Sequence, residues 1–102
     1  MPPMITKQQA TTVYANEADL LNVALFGRTA RQWRDQNPNK KGNIRDEATL
    51  EQLVVLANLE SINALLIRKG ITQPERLQQL NETAIQQMRS LLNNSTIKKL
   101  SR

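Results

Sequence analysis

Three short stretches of this chain carry the same helix-start signature, and together they leave room for little but helices. Thr29-Ala30-Arg31-Gln32, Thr49-Leu50-Glu51-Gln52 and Thr72-Gln73-Pro74-Glu75 each place a threonine three residues before Gln or Glu. In such a capping box the threonine oxygen accepts from the amide of the third helical residue. The side chain of that residue reaches back to the threonine amide. Asn16, followed by Glu17 and Asp19, is a fourth start: a good N-cap, then acids where the positive end of the helix dipole favours them. No segment alternates with period two and β-branched residues do not cluster, so no strand is expected. With 102 residues the chain reads as one all-α domain, a small bundle of about four helices.

The stops agree with the starts. Leu20, Leu21, Val23, Ala24, Leu25 and Phe26 make a dense apolar first helix that Gly27 closes as a C-terminal cap. The second helix is short, because Asn37-Pro38 ends it. The third runs to Lys69 and closes at Gly70. Its apolar residues between Leu53 and Ile67 cover most of the circumference, which predicts a central, largely buried helix. Asn58, Glu60, Ser61 and Asn63 are its polar positions, expected to face solvent or bridge to a neighbouring helix. The fourth helix carries one apolar stripe, Leu77, Leu80, Ala84, Met88 and Leu91, at spacings of three and four. Residues 1–13, polar with an early Pro pair, are expected to be a flexible arm. Residues 14–93 form the helical domain, and 94–102 a basic, frayed tail.

Composition removes several function classes. Without Cys there are no disulfides or thiolate metal sites, and without His the commonest general base and metal ligand are missing. Only three glycines exist, Gly27, Gly42 and Gly70, none in a phosphate-binding loop. The macrodipole accounts for Asp46, Glu47 and Glu51 at the start of the third helix, and Met88 belongs to the apolar stripe. A non-enzymatic protein with no cofactor and no metal is therefore expected. No apolar run reaches membrane-span length without polar interruption, and the N-terminus lacks the apolar region of a secretory signal. A cytoplasmic protein with no membrane partner is the expectation.

The net charge of +5 is localised. Arg28, Arg31, Arg34, Lys40, Lys41 and Arg45 lie in one window with Asp35 as the only acid, so this window holds the whole excess. Such a patch suits a nucleic acid or an acidic protein partner; a solvated basic face is the plain alternative. Residues 16–37 have the outline of a helix-turn-helix, in which a short second helix offers Arg and Gln side chains to DNA. Arg28, Arg31, Gln32, Arg34, Lys40, Lys41 and Arg45 are the candidate contacts, with Arg45 alternatively tied to the acids at the next helix start. Taken as the turn glycine, Gly27 leaves Asn22 and Arg28 where that motif is usually apolar, so an ordinary helical corner stands equally. Trp33 is either a stacking platform for bases or a core anchor for the turn, and the anchor is preferred.

The run Tyr14-Ala15-Asn16-Glu17-Ala18-Asp19-Leu20-Leu21-Asn22-Val23-Ala24-Leu25-Phe26-Gly27 resembles the opening of the C-terminal region of KilA-N domain-containing proteins. The likeness continues through Thr29 to Arg34, Asn37-Pro38, Lys41 to Asp46, Ala48 to Leu53 and Leu56 to Ala64, covering roughly residues 14–90. Such proteins occur in phages, prophages and bacterial genomes, and the KilA-N module binds DNA. Nothing in this chain corresponds to that module, so the resemblance carries over no DNA-binding residue. It implies a phage-linked accessory domain, either free-standing or expressed as a fragment. Two kinds of function follow as expectations. One is a DNA-binding or regulatory protein; the other is an interaction module that binds a second copy of itself or inhibits a host defence or nucleic-acid-handling protein.

Overall fold

A computed structural model of the chain describes residues 1–93, so the tail expected to fray lies outside the described residues. The elements are α1 (Lys7–Thr11), α2 (Glu17–Phe26), α3 (Ala30–Gln36), a 3-10 turn (Ile44–Glu47), α4 (Leu50–Arg68) and α5 (Gln73–Asn93). The described residues contain no strand. Among the described residues there are five α-helices where about four were expected; the extra one is α1. Helices α2, α4 and α5 pack on one another and enclose the main core, in which Leu20, Val55, Leu59 and Leu80 are fully covered. Helix α3 stands outside that core and packs on the 3-10 turn.

Local hydrogen bonds set the helix boundaries. The Asn16 side chain accepts from the Asp19 amide at 2.8 Å, and both halves of the Thr29 and Thr49 capping boxes form. Helix α5 begins beside Thr72, whose carbonyl accepts from the Arg76 amide at 2.9 Å. At the end of α2, Gly27 takes φ 78°, a left-handed conformation costly for any residue with a Cβ, and donates its amide to Val23 O at 3.0 Å.

The N-terminal segment, expected to be a flexible arm, is hydrogen-bonded to α2 and α5 at several points. Thr6-Lys7-Gln8-Gln9 is a further capping box, and it starts α1. Asn81, on the apolar side of α5, donates Nδ2 to Pro3 O at 2.8 Å and to Ala24 O at 2.9 Å. Its Oδ1 accepts from the Ile5 amide at 3.1 Å. Gln9 Nε2 donates to Gly27 O at 2.9 Å, and a Cβ on Gly27 would collide with the Pro3 ring. Tyr14 closes the segment: its amide donates to Gln73 Oε1 at 2.9 Å and its hydroxyl to Gln9 O at 3.0 Å. Partial burial raises the Tyr14 pKa above the ordinary 10.0, with a hydrogen bond to Thr12 opposing the shift.

Helix α4 also departs from expectation, since it is buried on one face only. Val55, Leu56, Leu59, Asn63 and Leu66 are covered, while Leu50, Leu53, Val54, Leu65 and Ile67 are exposed, Leu50 by 74%. By length and composition α4 could cross a membrane, but its covered face packs against α2 and α5 as in a helical core. Two of its polar residues, Asn63 and Asn58, bridge to neighbouring helices and Ser61 faces solvent. Asn63 Nδ2 donates to Glu17 Oε1 at 2.8 Å, and Asn58 Nδ2 to Gln87 Oε1 at 3.0 Å. Glu17 also meets the nearly buried Arg76 at 2.9 Å, and Arg76 Nη1 donates to Ile71 O at 2.8 Å. These bonds join α2, α4 and α5 through polar groups that would otherwise be stranded at the edge of the core.

Candidate functional site

The basic window begins where Gly27 turns the chain out of α2 and Thr29 restarts it as α3. A seven-residue helix has too few intrahelical bonds to hold itself, so it depends on caps and one anchor. Trp33 is that anchor, at 1% exposure, lining one cleft with Leu25, Phe26, Ile44 and Ala48. It presents no open ring face on which a base could stack. The Asn37 side chain donates to Trp33 O at 2.8 Å and closes the helix before Pro38. The chain then turns back, with Lys40 N donating to Asn37 O at 3.1 Å. At Gly42 φ is 89°, and a Cβ would strike the Asp46 carboxylate. That carboxylate accepts from the Asn43 amide at 2.8 Å while Asn43 Oδ1 accepts from Arg45 N at 2.9 Å, which forms the 3-10 turn.

The seven candidate contacts fall into three groups. Arg31, Arg34 and Lys41 are exposed and make no salt bridge among the described residues. Arg31 and Arg34, three apart on α3, are neighbours on its exposed side, turned away from the buried Trp33. Lys40 and Arg45 have internal partners: Lys40 Nζ lies 3.0 Å from Glu47 and Arg45 Nη1 lies 4.0 Å from Glu60. Arg45 thus faces the middle of α4, not the acids at its start. Both pairs are about half exposed, so each is worth at most about 1 kcal/mol and gives way readily to a stronger anion. Arg28 and Gln32 are occupied by structure. Arg28 is half-buried and donates to the Gln36 side chain across α3. Gln32 Oε1 accepts from the Thr29 amide at 2.8 Å, leaving only its amide nitrogen for a ligand.

Glu47 and Glu60, which temper the charge of this window, read in the sequence as a helix-start acid and a polar position of α4, not as partners of Lys40 and Arg45, because each is seven or more residues from the cation it meets. Asn22 was a visible anomaly, a polar residue inside the apolar run from Leu20 to Phe26. It is 4% exposed with no partner for Oδ1, beside a shallow cleft lined by Ala30, Asn43 and Arg45. No three Asp or Glu side chains among the described residues come together in a group that could hold a metal ion. Comparison of the chain with protein-family models, curated proteins and solved structures returns no match.

Proposed function

We propose that this chain is a non-enzymatic, cytoplasmic accessory protein of the phage or mobile-element kind that binds nucleic acid through Arg31, Arg34 and Lys41. On this reading α2 and α3 act as a helix-turn-helix-like corner, and Lys40 and Arg45 join the contact by exchanging Glu47 and Glu60 for phosphate. The observation that carries it is the set of three exposed cations without acidic partners among the described residues, on a segment whose shape caps and a buried Trp hold. The resemblance to the C-terminal region of KilA-N domain-containing proteins supports the phage-linked accessory part of this reading and carries over no nucleic-acid-binding residue.

Three cations on phosphate give a modest, salt-sensitive affinity, with a slope of log K against log salt of about −2.7. Recruiting Lys40 and Arg45 steepens it to about −4.5. The test is titration of a labelled DNA duplex between low and physiological salt, with the Arg31→Ala/Arg34→Ala variant alongside. Binding at low salt that the double variant weakens by tenfold or more supports the proposal, as about two lost phosphate contacts require. No binding at low salt, or equal binding by the variant, overturns it. A second reading, an acidic protein partner, is favoured by one observation: Lys40 and Arg45 already face carboxylates. A pull-down from bacterial lysate separates the two, since nuclease treatment abolishes recovery of partners bridged by nucleic acid and spares a direct protein contact.

A further inference from the structure

Along the exposed face of α4 the spacing of the seam positions is the same read from either end. Leu50, Val54, Ala57, Ser61, Ala64 and Arg68 follow one another at spacings of four and three, the spacing of a helix–helix seam. All six are exposed, and the small residues Ala57, Ser61 and Ala64 sit at the centre, where they permit close approach of a second helix. Leu53 and Ile67 stand seven positions either side of Glu60, and both are exposed. Glu51 and Lys69 stand nine positions either side of it. Val54 and Leu65, also exposed, are related by nearly the same centre.

We infer that this face pairs with the same face of a second copy of the chain, antiparallel, about a two-fold axis near Glu60. In that arrangement residues on one edge of the helix meet residues on the same edge of the partner at the reflected height. Leu53 then meets Ile67 of the partner subunit, Val54 meets the partner's Leu65, and Glu51 meets the partner's Lys69. In these three pairs apolar residues meet apolar ones and opposite charges meet, and the two helix dipoles oppose. A parallel pair would instead leave Glu51 and Lys69 at different heights and on opposite edges, so this charge match would be lost. The antiparallel pair brings the two Glu60 residues to one level, but each already faces its own Arg45.

The face is about 27 Å long, and doubling it buries on the order of 1,000 Å² in all, the low end of specific interfaces. An interface of this size makes a reversible dimer. It stands apart from Arg31, Arg34 and Lys41, none of which lies on α4, and meets the nucleic-acid reading only at Arg45, the partner of Glu60.

The absence of native Cys allows a direct test. Leu53→Cys protein mixed with Ile67→Cys protein should form a disulfide-linked dimer on mild oxidation. Each variant alone should not, because its two cysteines would be about 21 Å apart. Sedimentation equilibrium of the unmodified chain should show the mass rising from the 11.6 kDa protomer toward twice that value with concentration. Leu65→Glu should weaken association by more than tenfold, as a charge forced into an apolar contact requires. Glu51→Lys and Lys69→Glu should each weaken it, and the double exchange should restore it, a rescue that loss of folding cannot mimic. A protomer mass at every concentration, self-crosslinking of either single-cysteine variant, or capture of the exposed face by neutral phosphatidylcholine vesicles in place of a second copy overturns the inference.

Discussion

The α2–α4–α5 core and the α3 corner are held by different forces. In the core Leu20, Val55, Leu59 and Leu80 exclude water between three helices, and its stability is shared over all of them. In the corner Trp33 and Ile44 are buried apart from that cluster, and the remaining order comes from hydrogen bonds between neighbours in sequence. The Thr29 box, the Asn37 closure and the Asn43 box are each complete within a few residues. Burial is a property of the whole fold, and caps belong to their own segment. A surface built mainly by caps can present charge in a fixed array without enlarging the core.

The sharpest test of this contrast is Trp33→Ala, which should remove about 3–5 kcal/mol from the stability of the corner. Amide exchange is the measurement: protection across residues 28–47 should collapse while α5 amides keep theirs. Equal loss in both regions would make the corner part of the core. Leu59→Ala should cost about 2–5 kcal/mol, and here every helix should lose protection together, with a matching fall in the thermal midpoint. Thr29→Ala should cost about 1 kcal/mol and be visible only in the exchange of α3. The smallest effect belongs to Tyr14. Its raised pKa means that the folded state holds the phenol proton more tightly than the unfolded state does. The associated stability is complete below pH 10.0 and is lost as pH rises through the folded-state value. Denaturant titrations should show this alkaline loss in the parent chain and a smaller one in Tyr14→Phe.

Much of the local structure was legible. Asn16, Gly27, Thr29 and Thr49 cap as their types and spacing require, since a cap involves only residues within one turn. Thr6-Lys7-Gln8-Gln9 has the same form and was masked by the Pro pair before it. Asn81 was also readable in principle: it lies four residues after Leu77 and three before Ala84, a polar residue on an apolar stripe. Its partners Pro3, Ile5 and Ala24 could not be named from spacing, because they come from two distant segments. The candidate cations were readable as types and as a cluster, but not their division. Whether Arg45 stands free or meets Glu60 depends on where α4 passes the 3-10 turn.

The amino-acid sequence by itself determined the helices, most of their ends, the helical class of the fold and the concentration of positive charge between Arg28 and Arg45. These follow from interactions within a turn or from counting, so no partner element is needed. Tertiary structure alone decided which side of α4 is covered, because a helix apolar around most of its circumference has no preferred side until its neighbours arrive. Here α2 and α5 cover one side and leave Leu50, Leu53, Val54, Leu65 and Ile67 in the open. Tertiary structure likewise fastened the N-terminal segment through Asn81 and left Arg31, Arg34 and Lys41 without acidic partners among the described residues.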